Sequence, residues 1–355
     1  MSHVFQVGIL GATGAVGQKF TRLLNQHPWF TIKKMGASER SAGKPYKKAV
    51  HWIEDVPLQN EVADLIVTTC EPEHFEGVDF VFSGLDSSVA LETEQAFAKA
   101  GIPVISNAKN HRMFDQVPLL VPEVNPKHTA QIEKQNFHPE GKGWIVTNPN
   151  CVCVPLAMAL RPLYDTFGVE RVIMTSLQAV SGSGYPGVPS LDILGNVLPH
   201  IGGEEDKIVT EPNKLLGKLA DDGSIKQAEI QIDATATRVP TIDGHLLTVF
   251  AELENEAASQ SALEQAFDHW ENPIAKYDLP SAPAEPIHVH QDSMHPQPRI
   301  DAWRDKGMQL GIGRLEHINS KKVRFVALAH NTVRGAAGGA ILNAELLAEQ
   351  GYFKS

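Results

Sequence analysis

Residues 4–28 read VFQVGILGATGAVGQKFTRLLNQHP. The first seven are mostly apolar and read as a buried strand. GATGAVG (11–17) follows, and QKFTRLLNQHP (18–28) has the spacing of an amphipathic helix. Strand, glycine-rich turn and helix, in that order, form the context a dinucleotide-binding turn needs. Glycines at 11, 14 and 17 permit a tight turn and a close approach of backbone N–H groups to a pyrophosphate, and the helix N-terminus adds favourable dipole charge. Gly11, Thr13, Gly14, Ala15 and Val16 are therefore candidate cofactor contacts.

Outward from this turn the same alternation continues. TIKKMGAS, DLIVTTC (64–70), VDFVFSGLD (78–86) and IPVISNA (102–108) read as strands, with helical ETEQAFAKAG between the last two. Strands alternating with helices predict a parallel, doubly wound sheet. Beyond residue 151 the pattern changes to longer strand-like runs, RVIMTSLQAVSG, IQIDATATRVP, LLTVFAELE, GMQLGIGRLE and KVRFVALAH, which predict a mostly antiparallel sheet. The Pro-rich stretch 279–298 reads as a loop, and the tail from Arg334 returns to helix. The expected division is 1–150 with 331–355 as a nucleotide domain, and 151–330 as a substrate and self-association domain.

The chain of 355 residues is long enough for two domains; 42% hydrophobic and 21% charged residues are ordinary for a globular protein. A net charge of -11 argues against a nucleic-acid or membrane-surface binder. Three cysteines give no disulfide framework and fit a reducing cytoplasm. No signal peptide and no apolar run of membrane-spanning length is apparent.

Two stretches carry the chemistry. In TNPNCVCVPLAMALRPL (147–163), Cys151 stands at the mouth of a helix, where the dipole favours a thiolate. Asn148 and Asn150 are placed to cap and orient that turn, Pro155 fits the first helical turn, and Cys153 reads as structural. In ATRVPTIDGH (236–245), Arg238 and His245 flank one turn and offer a carboxylate reader and an acid–base group. After the second strand, ASERSAGK (37–44) brings Ser38, Arg40 and Ser41, which suit a 2′-phosphate and favour NADP over NAD.

GATGAVG, ASERSAGK, SNAKNHR (106–112), NPNC (148–151), QAVSGSGYPGV (178–188), GGEEDK (202–207), RVPTIDGH (238–245) and PQPRID (296–301) occur in this order. Over essentially its whole length the chain resembles the aspartate-β-semialdehyde dehydrogenases, in particular their archaeal and fungal branch. The resemblance implies a glyceraldehyde-phosphate-dehydrogenase-like α/β fold: a Rossmann-type NADP-binding domain plus an α+β domain that self-associates. It implies NADPH-dependent conversion of L-aspartyl 4-phosphate to L-aspartate 4-semialdehyde through a thioester on Cys151. His245 is then the acid–base group and Gln178 orients the intermediate. Arg238 matches the partner of the α-carboxylate. Glu205, with Glu204 as the neighbouring alternative, matches the partner of the α-ammonium. Lys207, Arg112 and Asn107 match the phosphate pocket. Ser83, Gly84, Ser181, Gly182 and Asn331 match cofactor contacts. Many relatives carry Ser or Thr directly after the cysteine; here the run is NCVCV, which leaves backbone N–H groups as the oxyanion donors.

A malonyl-CoA reductase would use the same thioester chemistry without needing an ammonium partner, and an N-acetyl-glutamyl-phosphate reductase has a substrate with no free ammonium. A non-catalytic NADP-binding protein would not require Cys151, Gln178, Arg238 and His245 together. His288, His290 and His295, in PIHVHQDSMHPQP, invite a metal reading, but no nearby acidic or cysteine residue completes a set in the sequence. The expectation is exposed loop histidines and no metal.

Overall fold

The computed structural model describes residues 4–353. Strands β1 (Phe5–Leu10), β2 (Phe30–Gly36), β3 (Val67–Thr68), β4 (Phe80–Ser83), β5 (Val104–Ser106) and β6 (Ile145–Thr147) form one parallel sheet in the order β3-β2-β1-β4-β5-β6. Helices α1 (Ala15–Leu23), α2 (Tyr46–Ala49), α3 (Asn60–Ala63) and α4 (Ser87–Lys99) belong to this unit. Strand order reverses between β1 and β4, so their carboxyl ends open a crevice, the position at which doubly wound sheets bind ligands. The central strands are apolar on both faces because helices cover both. DLIVTTC supplies only the two residues of β3, a short rim to the sheet.

The second unit contains α5 (Cys153–Phe167), β7 (Val169–Gln178), α6 (Ser190–Ile193), α7 (Glu204–Leu215), the small hairpin β8 (Lys218–Leu219) and β9 (Ile225–Lys226), β10 (Gln231–Arg238), β11 (His245–Leu253), α8 (Gln260–Asp268), β12 (Ile287–Val289), α9 (Pro298–Asp301), β13 (Leu310–Asn319) and β14 (Lys322–Ala329). Its sheet runs β10-β7-β11-β14-β13-β12, antiparallel within and parallel at the two outer pairs. The stretch read as a Pro-rich loop thus contributes an edge strand, β12, held by β13. One face packs on α5, α7 and α8 around Leu156, Leu160, Val249 and Phe325. The other leaves Ile173 and Phe250, direct cross-strand neighbours, 44% and 48% exposed. Among the described residues, no helix is long and apolar enough to cross a membrane.

The chain then crosses back. Val333–Ala337 make one π-helical turn, with Gly335 N–H donating to His330 O five residues earlier (3.0 Å). Helix α10 (Gly338–Glu349) follows. Its residues 338–348 are all buried, and Ile341, Leu346 and Leu347 pack with Val7, Phe20 and Phe82 of the first unit. A mostly apolar helix has no solvent face, and its two buried polar residues are hydrogen-bonded, Asn343 to Leu120 O (3.2 Å) and Glu345 to His27 Nε2 (2.9 Å), which is why it lies inside the molecule.

Candidate active site

Between β6 and α5 the chain makes a turn that carries Cys151. Asn150 is its anchor: Oδ1 accepts from Val152 N–H (2.8 Å), Nδ2 donates to Glu204 Oε1 (2.7 Å), and its backbone N–H donates to Glu211 Oε2 (2.6 Å). The Val152 amide is therefore already capped and is not free for an oxyanion, contrary to the simplest reading of the helix start. Asn148 does not cap either. Its Nδ2 donates to Asn107 Oδ1 (3.1 Å) and Ala336 O (3.2 Å), tying the turn to the returning C-terminal segment. That segment backs directly onto the nucleophile: a Cβ on Gly335 would lie 2.9 Å from Cys151 Cβ and 3.0 Å from its Cα. Gly335→Ala must push Cys151 aside, so kcat is expected to fall about 100-fold, since misplacement by about an ångström costs that much. Steady-state kinetics beside a cofactor titration check this; an unchanged kcat removes the packing argument.

His245, the first residue of β11, places Nε2 3.2 Å from Cys151 Sγ across 94 positions of sequence. Ala179 N–H donates to its Nδ1 (3.1 Å), so the neutral ring carries its proton on Nε2, aimed at the sulfur. Burial, then the charges of Arg238 and His330, hold His245 down at about 3. The thiol departs from expectation. Burial and the Glu204 carboxylate push Cys151 up to about 12, against the pull of Arg112, Lys207 and Arg238. Without substrate, desolvation and Glu204 favour the protonated thiol.

Around this pair lies a set of charges. Glu204, at the start of α7, accepts from Asn150 and Lys207 Nζ (2.7 Å), with Gln178 Nε2 at 3.4 Å. Burial raises its pKa, but Lys207, Asn150 and Gln178 outweigh that and hold it below the usual range, so it is ionised. Glu205 faces elsewhere and accepts from Ala236 N–H on β10 (3.0 Å). The carboxylate beside the cysteine is thus Glu204, not the expected Glu205. Arg238 donates to Ala179 O (2.8 Å) next to the His245 anchor. Gly182 leaves room above both: a Cβ there would be 2.9 Å from Arg238 Nη1 and 3.0 Å from His245 Cε1. Arg112 pairs with Glu211 (2.8 Å) and Asn107 O (2.8 Å). Its Nε and Asn107 Nδ2 are buried donors without partners, both on residues lining a cavity of about 300 Å³ that reaches Cys151. Orphaned donors of this kind fit an anion.

The same cavity is lined by Ala15, Val16, Ser181 and Asn331, so it joins the glycine-rich turn to the cysteine. Gly11 has φ +74°, and a Cβ there would meet Gly84 O at 2.7 Å; Gly84 in turn lies against Val16. Thr13 and Gly14 complete the turn, Gly14 N–H donating to Gly11 O (3.0 Å). The backbone cradle required for a dinucleotide is therefore present at the crevice. Ser38 and Arg40 are exposed in the loop after β2, while Ser41 is buried with its N–H on Ser38 O (2.8 Å). Two expected contacts already have partners inside the protein. Ser83 Oγ donates to Glu94 Oε1 (2.6 Å) at full burial. Asn331 donates to Ser181 Oγ (2.8 Å) and accepts from Gly244 N–H (2.9 Å), so its amide joins two loops at the cavity wall with one N–H still to give.

Glu211, Lys214 and Gly335 were not legible in the sequence. Lys214 Nζ donates to the carbonyls of Arg112, Phe114 and Val117, all 2.8 Å, and so shapes the loop that presents Arg112. Glu204 had a usable signal, since only it lies three residues before Lys207 on the same helix face.

Three histidines are buried neutral: His245, pushed down to about 3, and His128 and His330, each to about 4, all chiefly by burial. The unfolded chain binds protons on them below about 6.5 and the native state does not. Their contribution to stability is therefore complete above that value and is lost as pH falls, by roughly 1.4 kcal/mol per unit per group at most. Denaturant melts at pH 7.5, 6 and 5 should show progressive destabilisation; a flat profile would contradict it.

The crevice, the cradle and a cysteine–histidine pair at one end define a nicotinamide-nucleotide-dependent dehydrogenase that works through a covalent cysteine adduct. Family comparison makes this specific. Residues 6–132 match the semialdehyde dehydrogenase NAD binding domain, and residues 160–334 match the semialdehyde dehydrogenase dimerisation domain. The chain belongs to the semialdehyde dehydrogenase family. It is similar to the aspartate-semialdehyde dehydrogenase of Archaeoglobus fulgidus, 44% identical over 98% of each chain, and to that of Methanothermobacter thermautotrophicus, 46% identical over 97% of this chain and 99% of the relative. Among solved structures it superposes on aspartate semialdehyde dehydrogenase with NADP from Candida albicans with TM-score 0.90, at 41% identity over 98% of this chain and 99% of the other.

Proposed function

We propose that the protein carries out the NADPH-dependent reductive dephosphorylation of L-aspartyl 4-phosphate to L-aspartate 4-semialdehyde, with Cys151 as nucleophile. The observation that carries the assignment of residues is the 3.2 Å approach of His245 Nε2 to Cys151 Sγ inside a ring of Glu204, Lys207, Arg238 and Arg112. The domains divide at 1–150 with 331–355 against 151–330.

Arg238 pairs with the α-carboxylate and Glu204 with the α-ammonium, fixing the substrate at both ends of its head. Pairing neutralises the Glu204 charge that holds the Cys151 proton in place, so substrate binding itself favours the thiolate. The phosphoryl group sits against Asn107, Arg112 and Lys207. The sulfur attacks the acyl carbon, the bond to the phosphate oxygen breaks, the thiol proton leaves with the departing phosphate, and the acyl group remains as a thioester on Cys151. His245 Nε2–H faces the reacting centre and holds a proton there, while Gln178 orients the carbonyl. Gly11–Val16, with Ser181 and Gly182 on the same cavity, would hold NADPH, which would supply the hydride that reduces the thioester. Ser38 and Arg40 bind the 2′-phosphate. A malonyl thioester has no ammonium to meet Glu204. The exposed Ile173 and Phe250 on the second sheet are the self-association face.

The test is NADP⁺ reduction, followed by absorbance, with L-aspartate 4-semialdehyde plus and minus inorganic phosphate. Phosphate-dependent turnover is expected. Its absence with NADP⁺ still bound, or turnover of malonate semialdehyde with coenzyme A instead, refutes the substrate.

A further inference from the structure

The histidine motif at 288–295 plays no part in this chemistry, and the fold completes it with a residue from further along the chain. His290 follows β12, its N–H donating to Ile312 O (2.7 Å). The loop then doubles back and enters α9, which brings Asp301 to the histidines. One ligand atom each from His290, His295 and Asp301 lies within 4.8 Å of the others. Asp301 is buried, and its Oδ2 accepts from His295 Nδ1 (2.7 Å) and from Gln297 N–H (2.6 Å). An ion held by both residues would take the place of the proton in this hydrogen bond, binding Asp301 Oδ2 and His295 Nδ1 together. His290 Nε2 is buried and has no hydrogen-bond partner. Beside it, His288 is pinned in the same sense, Nδ1 to Glu285 Oε2 (2.9 Å), with its ring 4.6 Å from that of His290. Arg304 is the opposing charge, with Nη1 3.9 Å from Asp301 Oδ1.

We infer that His290, His295 and Asp301 form a site for a divalent transition-metal ion of the zinc class. Two imidazoles and a carboxylate are donors for such ions; magnesium and calcium prefer all-oxygen sets. The backbone is shaped to keep the loop on the sheet. On β13, a Cβ at Gly311 would lie 3.0 Å from His290 Nε2, and one at Gly313 would collide with His295 O at 2.0 Å. Rotation of the two half-buried rings draws the donors to bonding distance. The ion would fasten the loop at 290–301 to the sheet edge. Trp303, two residues beyond that loop, lines a cleft of about 640 Å³ that Ala15 and Ser181 also line, whereas His290, His295 and Asp301 line neither that cleft nor the cavity at Cys151, so the site is a structural clip beside the reacting centre.

The experiment uses the full chain in a Cys151→Ser background, which removes the Cys151–His245 pair as a competing metal site. Zn²⁺ is titrated calorimetrically and Co²⁺ by visible absorption. One equivalent is expected, with zinc affinity weakened at least 10-fold by His290→Gln, by His295→Gln and by Asp301→Asn, each of which removes a ligand. With Cys151 restored, the two histidine variants should keep wild-type turnover. Both replace half-buried side chains, so they report even if Asp301→Asn fails to fold. No stoichiometric binding, or an equivalent bound as tightly by the His290→Gln/His295→Gln double variant, overturns the site.

Discussion

Cys151→Ala is expected to lower phosphate-dependent NADP⁺ reduction by about 10⁴-fold or more while leaving NADP⁺ affinity within about twofold. The magnitude follows from the role: without the sulfur no thioester forms, and loss of a covalent nucleophile typically costs several orders of magnitude. The binding arm follows from geometry. The cradle at Gly11–Gly14 is built by backbone, and Cys151 closes only the far end of the cavity. Isothermal titration with NADP⁺ and an absorbance assay on the same preparations separate the two arms. Residual activity above about 1% of wild type would mean that hydride transfer does not require the thioester. Cys153→Ala provides the comparison: that thiol is buried against Lys207 O (3.5 Å) and its loss should cost stability, with turnover per folded molecule retained.

The second large effect distinguishes adjacent carboxylates. Glu204→Gln should lower kcat/KM by about 10²- to 10³-fold, equivalent to roughly 3–4 kcal/mol for removing one partner of a buried ion pair with the substrate ammonium. Glu205→Gln should stay within about threefold, because an amide oxygen can still accept from Ala236 N–H. A second readout has the opposite sign. Glu204 raises the Cys151 pKa, so in the free enzyme Glu204→Gln should alkylate faster with iodoacetamide at pH 8 although it turns over more slowly. A destabilised variant would expose buried Cys153 as well, so labelling is read site by site: faster modification confined to Cys151 reports its lowered pKa. Equal effects of the two substitutions, or slower alkylation of Glu204→Gln, would return the ammonium site to open question.

The alkylation measurement also bears on how far sequence reasoning reached. A cysteine at a helix start reads as a lowered pKa, and the start is there: α5 begins two residues later. Desolvation of the half-buried sulfur and the nearby Glu204 carboxylate act against that reading and push the thiol up. Packing around the site also consumes the Val152 amide and the hydroxyl of Ser83 in internal hydrogen bonds. Which donor of a polar residue remains free is a property of its neighbours in space, and spacing along the chain does not encode it.

The sequence by itself determined the alternation of strands and helices up to residue 151, the glycine-rich turn, the change to antiparallel pairing after residue 151 and, with the motifs of the family it resembles, the candidacy of Cys151, His245 and Arg238. These rest on local rules: side-chain period, glycine in turns, and residue types whose chemistry is distinctive. Only the tertiary structure decided that Glu204 faces the sulfur, that Glu211 and Lys214 brace the turn and the Arg112 loop, that Gly335 stands behind the nucleophile, and that Asp301 joins His290 and His295. The physical reason is the same in each case. A helical register error of one residue rotates a side chain by about 100°, and contacts between residues far apart in the chain exist only once the sheets and α10 have packed.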